Sequence, residues 1–196
     1  LNHVVAGVNT SSNLSTGYIT SLSVGDSSPE NLSLFVNTSS GVVVNGTSTV
    51  TQADILTDNG VIHAVNSVIG IPDVTTQALA NPEFSILVDA LIAASDSNIN
   101  YVELLSGSAN APFTVFAPTN SAFSGLLATL GLSSLDDIPQ DLLQLVLNYH
   151  VIAGANVRAE DLVDGLTATT FQGEDLTIDL TSGAQIIDAT GAPSNI

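Results

Sequence analysis

The sequence predicts a protein built from both β-hairpins and α-helices, and three observations support that prediction. β-branched residues cluster around turn signals at 31–50 and 175–191, which is typical of hairpins. Apolar residues recur at three-and-four spacing at 84–92 and 142–149, which is typical of amphipathic helices. Stretches near the start of the chain return near its end, so the architecture is expected to repeat.

The repeat is visible in two pairs of segments. Residues 2–7 (NHVVAG) return as residues 149–154 (YHVIAG), an offset of 147 residues. Residues 31–47, which follow the first copy, resemble residues 175–191, which follow the second copy. The repeating unit is therefore about the size of a domain, and we expect the chain to start inside one unit and stop inside the next.

The first part of the chain is predicted to consist mostly of strands. Residues 31–36 and 41–50 flank the turn NTSSG and predict a hairpin. Residues 59–72 (NGVIHAVNSVIGIP) open with a turn signal, continue as a β-rich run that contains His63, and stop at Gly-Ile-Pro. The pattern becomes helical after that stop, which places a unit boundary near residue 73.

The later part is predicted to alternate helices with strands. Asn81 and Pro82 form a helix-start signal. The apolar face behind this signal consists of Phe84, Leu87, Val88, Leu91 and Ile92. A second apolar face lies just before the repeated segment at 149–154 and includes its first residue. It consists of Leu142, Leu143, Leu145, Val146 and Tyr149. Between these helices, residues 113–123 (FTVFAPTNSAF) predict a buried strand, followed by a helix that Thr119 or Asn120 caps.

The charge of the chain is strongly unbalanced. One basic residue, Arg158, accompanies 19 acidic residues, for a formal net charge of −18. Because affinity for phosphate backbones depends on Lys and Arg, the sequence argues against binding to nucleic acid or to an anionic membrane surface. A basic partner, a divalent cation or a high-salt habitat fits the charge better. The simpler interpretation is that the charge keeps an apolar protein soluble.

Composition also bears on where the protein works. Cysteine is absent, which excludes disulfides and cysteine-ligated metals, and no apolar run reaches the roughly 18 to 20 residues that span a bilayer. The chain begins at Leu1 without a leader, so we expect a processed product or part of a longer protein. Sequons for N-glycosylation favour a secreted or surface protein, and they stand at Asn9, Asn13, Asn31, Asn37 and Asn45.

Three boxes at domain spacing carry a resemblance to a known family. They are residues 113–123, residues 148–154 (NYHVIAG) and residues 59–72, and together they resemble the fasciclin (FAS1) domain family. Residues 1–73 resemble the C-terminal part of one such domain, and residues 74–196 resemble the N-terminal part of a second one whose closing box is missing. The box at 149–154 begins with Tyr-His and is called the Tyr-His box below. Its first copy, residues 2–7, departs from the family pattern because it has Asn2 where the family has Tyr.

The resemblance implies an α+β fold, with a compact β-sandwich core of two short sheets and helices packed at one side, in tandem. It also implies an extracellular or cell-surface adhesion or matrix protein, whose partners are other proteins or surface glycans. Neither enzyme activity nor a cofactor is expected. In some members the surface around the Tyr-His box is an adhesion region, which makes Tyr149 and His150 interaction candidates.

The residues themselves offer no catalytic constellation. Thr119 and Asn120 lack an accompanying nucleophile and base, and helix capping explains both of them. His63 and His150 lie between apolar residues on predicted strands, and His3 has the matching place in the first copy. We interpret all three histidines as structural, because their spacing does not predict a zinc site.

Two functions remain open at this point. The first is a non-enzymatic extracellular adhesion or structural protein, and the alternative is a small-ligand-binding module with an apolar pocket between helices and sheet. A hydrolase is a weaker third possibility, because no nucleophile is identifiable. A second unit without its closing strand is also predicted to expose sheet edges, which would be covered either by polypeptide that continues past Ile196 or by a strand donated from a neighbouring chain. Such donation could build a fibre or tandem array.

Overall fold

The computed structural model describes residues 1–26, 29–191 and 193–195. They form two compact units, Leu1–Ser85 and Ile86–Ile196, and each combines helices with antiparallel strands. The fold is therefore α+β, as the resemblance implies. The finer assignment of residues 1–73 and 74–196 to parts of two domains stays a prediction.

The first unit is built on a five-stranded antiparallel sheet, in which the strands follow one another in space as they do in sequence. These strands are β1 (Gly17–Val24), β2 (Asn31–Asn37), β3 (Val43–Val44), β4 (Ser48–Thr57) and β5 (Gly60–Val65). Val36 lies opposite Val44, which confirms the predicted hairpin. The run predicted over 41–50 is broken, because Asn45 (φ 48°) and Gly46 (φ 70°) form a left-handed turn between β3 and β4.

A short helix lies against this sheet. Helix α1 (Val74–Ala80) begins at Asp73, whose carboxylate accepts a hydrogen bond of 2.7 Å from the Thr76 N–H. The Gln77 amide donates to the Ser33 carbonyl on β2 at 2.7 Å. Residues just after the predicted boundary near 73 are thus hydrogen-bonded to the first unit.

The next helices follow the predicted start signal. Asn81 accepts a hydrogen bond from the Glu83 N–H at 3.0 Å and caps a short 3-10 turn. The helices after it are α2 (Ser85–Ala94), α3 (Tyr101–Ser106), α4 (Asn120–Leu130) and α5 (Gln140–Tyr149).

The predicted apolar faces of α2 and α5 are partly wrong. Ile92 is 59% exposed, and the buried positions of α2 are Leu87, Ala90, Leu91 and Ala94. In α5 the buried residues are Leu143 and Leu147, whereas Leu142 and Leu145 are exposed. Each helix therefore buries a narrow stripe at four-residue spacing, and the small alanines of α2 are part of it.

Among the described residues of the second unit there are also six short strands: β6 (Phe113–Val115), β7 (Val151–Ala153), β8 (Thr167–Thr169), β9 (Asp175–Asp179), β10 (Gln185–Ile187) and β11 (Pro193–Asn195). Strands β8 to β11 form one sheet, and β6 pairs with β7. The prediction of a buried strand at 113–116 needs correction. Its residues are half-buried, because β6 lies at the edge of a two-stranded sheet.

The internal repeat extends to backbone geometry. Gly7 and Gly154, which match in the repeat, both have left-handed backbones, with φ of 84° and 78°. In the first unit the Leu22 N–H donates to the Val4 carbonyl at 2.8 Å. In the second unit the Phe171 N–H donates to the Val151 carbonyl, the counterpart of Val4, at 2.6 Å. In each unit, therefore, the residue directly after the repeated histidine (His3 or His150) accepts a backbone hydrogen bond from a residue 18 or 20 positions further along the chain.

Candidate partner-binding site

An apolar cavity of about 490 Å³ lies on the inner face of the first unit's sheet. One wall is the segment 3–14, and the others come from β1 to β5 and from Ile69. Side chains that point to one face of a strand alternate with those on the other, so the inward positions of several strands converge here. Representative apolar lining residues are Val5, Ile19, Leu34, Val36, Val44 and Val65.

The polar lining of the cavity centres on His63. Its Nε2–H donates to the Asn9 carbonyl at 2.7 Å, and its Nδ1 faces the Asp54 N–H at 3.4 Å. This pair of contacts fits a neutral imidazole protonated at Nε2, because Nδ1 then serves as an acceptor. His63 therefore fastens the segment that carries Asn9 to the β4–β5 hairpin.

Ser11 and Asp54 form a second fastening beside it. The Asp54 carboxylate accepts hydrogen bonds from the Ser11 N–H, at 2.8 Å, and from the Ser11 hydroxyl. These bonds from Ser11 lower the pKa of Asp54. Because the Ser11 hydroxyl donates to Asp54 and makes no bond to His63, the trio does not have the geometry of a nucleophile and its base.

His3 and Asn2 secure the start of the segment. The Ile69 N–H donates to His3 Nε2 at 3.1 Å, and the buried Asn2 amide donates to the carbonyls of Ile69 and Gly70. The departure from tyrosine at position 2 thus has a structural explanation, since the shorter amide side chain reaches two backbone acceptors. The structural interpretation of His3 fits this geometry.

Tyr149 and His150 lie in the second unit. The Tyr149 hydroxyl donates to the Asp175 carbonyl at 3.2 Å and accepts from the Ala189 N–H at 2.9 Å. His150 was predicted to lie on a strand, and that prediction is wrong. It lies at the C-terminal cap of α5, where its Nδ1–H donates to the Val146 carbonyl at 2.8 Å. Both side chains are half-buried, so a partner would meet their rings rather than these polar atoms.

Thr119 and Asn120 serve two different helices. The Thr119 hydroxyl faces the Ala122 N–H at 3.4 Å and caps α4. Asn120 Oδ1 accepts from the Ile86 N–H at 2.9 Å and so satisfies a donor in the first turn of α2. Thr119 therefore lies at the N-cap of its own helix, while Asn120 reaches across to another helix.

The sequon asparagines differ widely in exposure. Asn13 and Asn31 are exposed, whereas Asn9 and Asn37 are half-buried. Asn45 is 6% exposed, and its Oδ1 accepts from the Phe35 N–H at 2.9 Å. Its Nδ2, the atom that would carry a glycan, is also buried, so glycosylation at Asn45 would require this turn to open.

The described ranges 1–26, 29–191 and 193–195 hold no group of three or more histidine and carboxylate side chains that could bind a metal ion. In the acidic loop at 95–100, the Asp96 carboxylate is occupied by the N–H groups of Asn98 and Ile99, from which it accepts at 2.6 and 3.0 Å. Those bonds lower the pKa of Asp96. Within the same described ranges, no helix is both long and apolar enough to cross a bilayer.

The sequence did not reveal the pairing of Ser11 with Asp54 or the cavity beside it. Asp54 interrupts β4 with a left-handed backbone (φ 58°), where the pairing with β5 shifts register. A charged residue in the middle of a β-branched run was the available signal for such a bulge.

In both units a segment that contains the repeated histidine (His3 or His150) precedes an antiparallel hairpin, β2–β3 or β9–β10. This repeated α+β arrangement is that of FAS1-type modules in tandem. A sequence profile of the fasciclin domain matches residues 1–72 and 82–195. The chain belongs to the fasciclin domain family.

Its relatives include bacterial proteins. The chain is 37% identical over 120 residues to the protein sll1735 of Synechocystis, covering 61% of this chain and 83% of that protein. It is 41% identical over 107 residues to the cell surface glycolipoprotein MPB83 of Mycobacterium bovis, covering 54% of this chain and 44% of MPB83. The immunogenic protein MPT70 of Mycobacterium tuberculosis is 38% identical over 107 residues, with 54% of this chain and 50% of MPT70 covered. The chain thus spans about half the length of the mycobacterial relatives.

A solved structure shares the fold. It is a FAS1 domain pair from the insect cell adhesion molecule Fasciclin I, with a TM-score of 0.52 and 18% sequence identity. The match covers 88% of this chain and 57% of the insect chain.

Proposed function

We propose that this chain belongs to an extracellular or cell-surface protein that works through contacts with other proteins or surface glycans and has no catalytic role. The observation that carries the proposal is the fasciclin match over residues 1–72 and 82–195. Relatives described as cell-surface proteins support it. So does the shared fold with a pair of domains from an adhesion molecule.

The charge distribution bears on the kind of partner. Arg158 is the chain's one Lys or Arg, and it pairs with Glu160 at 2.7 Å and with Asp161 at 3.3 Å. The surface therefore offers many carboxylates and little positive charge to a partner. A partner surface with positive charge fits it best, and such a contact weakens as salt screens it.

The test is an adhesion assay with the chain coupled to beads. Retention is measured on a panel of immobilised extracellular proteins and glycans, with uncoated beads and beads carrying an equally acidic unrelated protein as controls. We expect saturable retention on at least one surface, and weaker retention as the salt concentration rises. Retention equal to that of the acidic control on every surface would contradict the proposal. So would turnover of a substrate that Asn120→Ala abolishes.

Tyr149 and His150 stay interaction candidates within this proposal. Because the Tyr149 hydroxyl is bonded inside the unit, a partner would contact the ring. Tyr149→Phe keeps the ring and Tyr149→Ala removes it, so adhesion that survives the first change and fails with the second would support a ring contact.

The alternative is a module that binds a small apolar ligand, and the cavity in the first unit favours it. Its volume of about 490 Å³ falls within the range of roughly 300 to 1,000 Å³ typical of ligand pockets. Native mass spectrometry of the purified chain tests this alternative, which predicts a co-purified ligand that organic extraction removes.

A further inference from the structure

The chain contains two Asn-Gly pairs, and both begin in turns between strands of the first unit. Asn45-Gly46 lies between β3 and β4, and Asn59-Gly60 lies between β4 and β5. Asparagine deamidates most readily when glycine follows it, because glycine has no Cβ to keep its backbone nitrogen away from the asparagine side chain. The sequence gives the two pairs the same intrinsic reactivity, so any difference between them must come from the fold.

Asn45 is held by reciprocal hydrogen bonds to Phe35 on β2. Its N–H donates to the Phe35 carbonyl at 2.8 Å, and its Oδ1 accepts from the Phe35 N–H at 2.9 Å. Asn45 is buried, with 6% of the residue exposed. To react with the next backbone nitrogen, its side chain would have to turn away from Phe35 and leave a buried donor without a partner. The fold therefore opposes deamidation at this position.

Gly46 is also fixed in place. Its backbone is left-handed, with φ of 70°, and a Cβ added to it would lie 3.2 Å from the Cα of Ala80 at the end of α1. The nitrogen that would attack Asn45 thus belongs to a residue packed closely against a helix. Neither partner of the Asn45-Gly46 pair can move without disturbing its neighbours.

Asn59 has very different surroundings at the tip of the β4–β5 hairpin. Thr57 pairs with Gly60, so Asp58 and the exposed Asn59 are the two residues of the turn. The Thr57 hydroxyl faces Asn59 Oδ1 at 3.4 Å and the Gly60 carbonyl at 3.0 Å. These contacts lie within residues 57–60 and do not depend on elements outside the hairpin. The side chain of Asn59 can therefore rotate towards the Gly60 nitrogen without breaking a buried bond.

We propose that Asn59 is a site of spontaneous deamidation and that the fold protects Asn45 from the same reaction. The Gly60 nitrogen gives its proton to hydroxide and attacks Asn59 Cγ. The bond from Cγ to Nδ2 breaks, and the departing nitrogen takes up a proton and leaves as ammonia, so that a succinimide ring remains. Water then opens the ring, giving aspartate when it attacks Cγ and isoaspartate when it attacks the main-chain carbonyl carbon.

The products change both the charge and the backbone of the hairpin tip. Each product places a new carboxylate beside Asp58 and adds one negative charge to a chain whose formal net charge is −18. Isoaspartate also inserts a methylene group into the main chain between the Cα of residue 59 and the Gly60 nitrogen. The loop that the Thr57–Gly60 pair closes is then longer. This inference goes beyond the proposed binding function and does not depend on it.

The test is a time course of the full chain at physiological temperature, at pH 7 and at pH 9. Peptide mapping by tandem mass spectrometry measures the deamidated fraction at both asparagines. In the folded chain we expect Asn59 to react faster than Asn45 by about tenfold or more, because Asn45 must first leave a buried hydrogen bond. Both rates should rise with pH, since the attacking nitrogen must lose its proton. In guanidinium chloride, which unfolds the chain, the two rates should become similar.

Gly60→Ala is the matched variant, because it hinders the attack without straining the turn. The backbone of Gly60 is not left-handed, and an added Cβ would lie 3.9 Å from the Thr57 hydroxyl oxygen, which is an ordinary contact. We expect this variant to fold like the natural chain, as circular dichroism would show, and to deamidate several-fold more slowly at Asn59. Asn45 should keep its slow rate in the same variant.

Three results would overturn the inference. The first is equal rates at Asn45 and Asn59 in the folded chain, and the second is an unchanged rate at Asn59 in the Gly60→Ala variant. The third is a difference between the two asparagines that persists in guanidinium chloride, because it would then come from the local sequence rather than from the fold.

Discussion

At the scale of single residues, Asn37 and Asp179 hold the same turn in the two copies of the hairpin. Asn37 Oδ1 accepts from the N–H and the hydroxyl of Ser39 at 2.9 and 2.7 Å. Asp179 Oδ1 accepts from the N–H and the hydroxyl of Thr181 at 2.8 and 2.6 Å. Hydrogen bonds from Thr181 lower the pKa of Asp179. The chain thus contains an uncharged version of a turn that is charged in its other copy.

Asp179→Asn should therefore keep the turn and remove part of the acid sensitivity. A folded-state pKa below the unfolded value means that ionised Asp179 stabilises the fold above the usual carboxyl range, and that this contribution is lost as the pH falls through the folded pKa. Thermal unfolding between pH 7 and pH 2.5 measures the effect. The variant should lose less stability over this range than the natural chain, and an unchanged pH dependence would contradict this role for Asp179.

Asn45 offers a second test at a single position. Its buried side chain accepts from the Phe35 N–H, and its backbone is left-handed, a conformation that asparagine tolerates better than alanine. Asn45→Ala should lower the free energy of unfolding by about 1–3 kcal/mol, because it leaves a buried donor without a partner. Urea denaturation measures this loss. The exposed Asn31→Ala serves as the control, with an expected change within about 0.5 kcal/mol.

At the scale of elements, the helices of the second unit are held at their first turns. Asn120 opens α4 and accepts from the Ile86 N–H of α2, so one side chain links two helix starts. Because backbone donors in a first helical turn have no partner inside the helix, a side chain from elsewhere stabilises them.

Asn120→Ala should destabilise the chain by about 0.5–2 kcal/mol, the range found for lost helix caps. Asn120→Asp retains an acceptor oxygen and should recover most of that loss. Chemical denaturation followed by far-UV circular dichroism checks both variants. Equal stability of the alanine and aspartate variants would contradict the role assigned to the amide oxygen.

Local signals predicted most elements but not how they are buried. The start at Asn81 and Pro82 and the cap at Thr119 each depend on residues close in sequence, whereas the turn at Asn45 and Gly46 was missed inside a run predicted as one strand. Ile92 and Leu145 were predicted on apolar faces and are exposed, because the buried stripe of a helix is set by the elements that pack on it. Periodicity alone could not distinguish them from their buried neighbours.

At the scale of the whole molecule, negative charge dominates. With 19 acidic residues and one basic residue, carboxylates repel one another over distances that salt shortens. The Debye length falls from about 30 Å at 0.01 M salt to about 3 Å at 1 M. We therefore expect the melting temperature to rise as sodium chloride increases from 0.01 M to 0.5 M, and calorimetry at pH 7 checks this. A melting temperature that falls over this range would contradict the prediction.

The candidate site was only partly predictable, because many of its contacts join residues that are far apart in the sequence. The repeat is visible in the sequence, and its first copy, residues 2–7, contributes His3, Val4 and Val5 to the wall of the cavity. The contact of Ser11 with Asp54 joins residues 43 positions apart, and the cavity gathers side chains from most of the first unit. Such long-range arrangements leave little local signal, since each lining residue is an ordinary strand valine or leucine.

The central claim is that the chain works by binding other proteins or surface glycans rather than by catalysis. Retention of chain-coated beads on immobilised extracellular proteins and glycans tests it most directly. The account predicts saturable retention on at least one surface, and weaker retention as the salt concentration rises. Retention no greater than that of an equally acidic unrelated protein on every surface would contradict it.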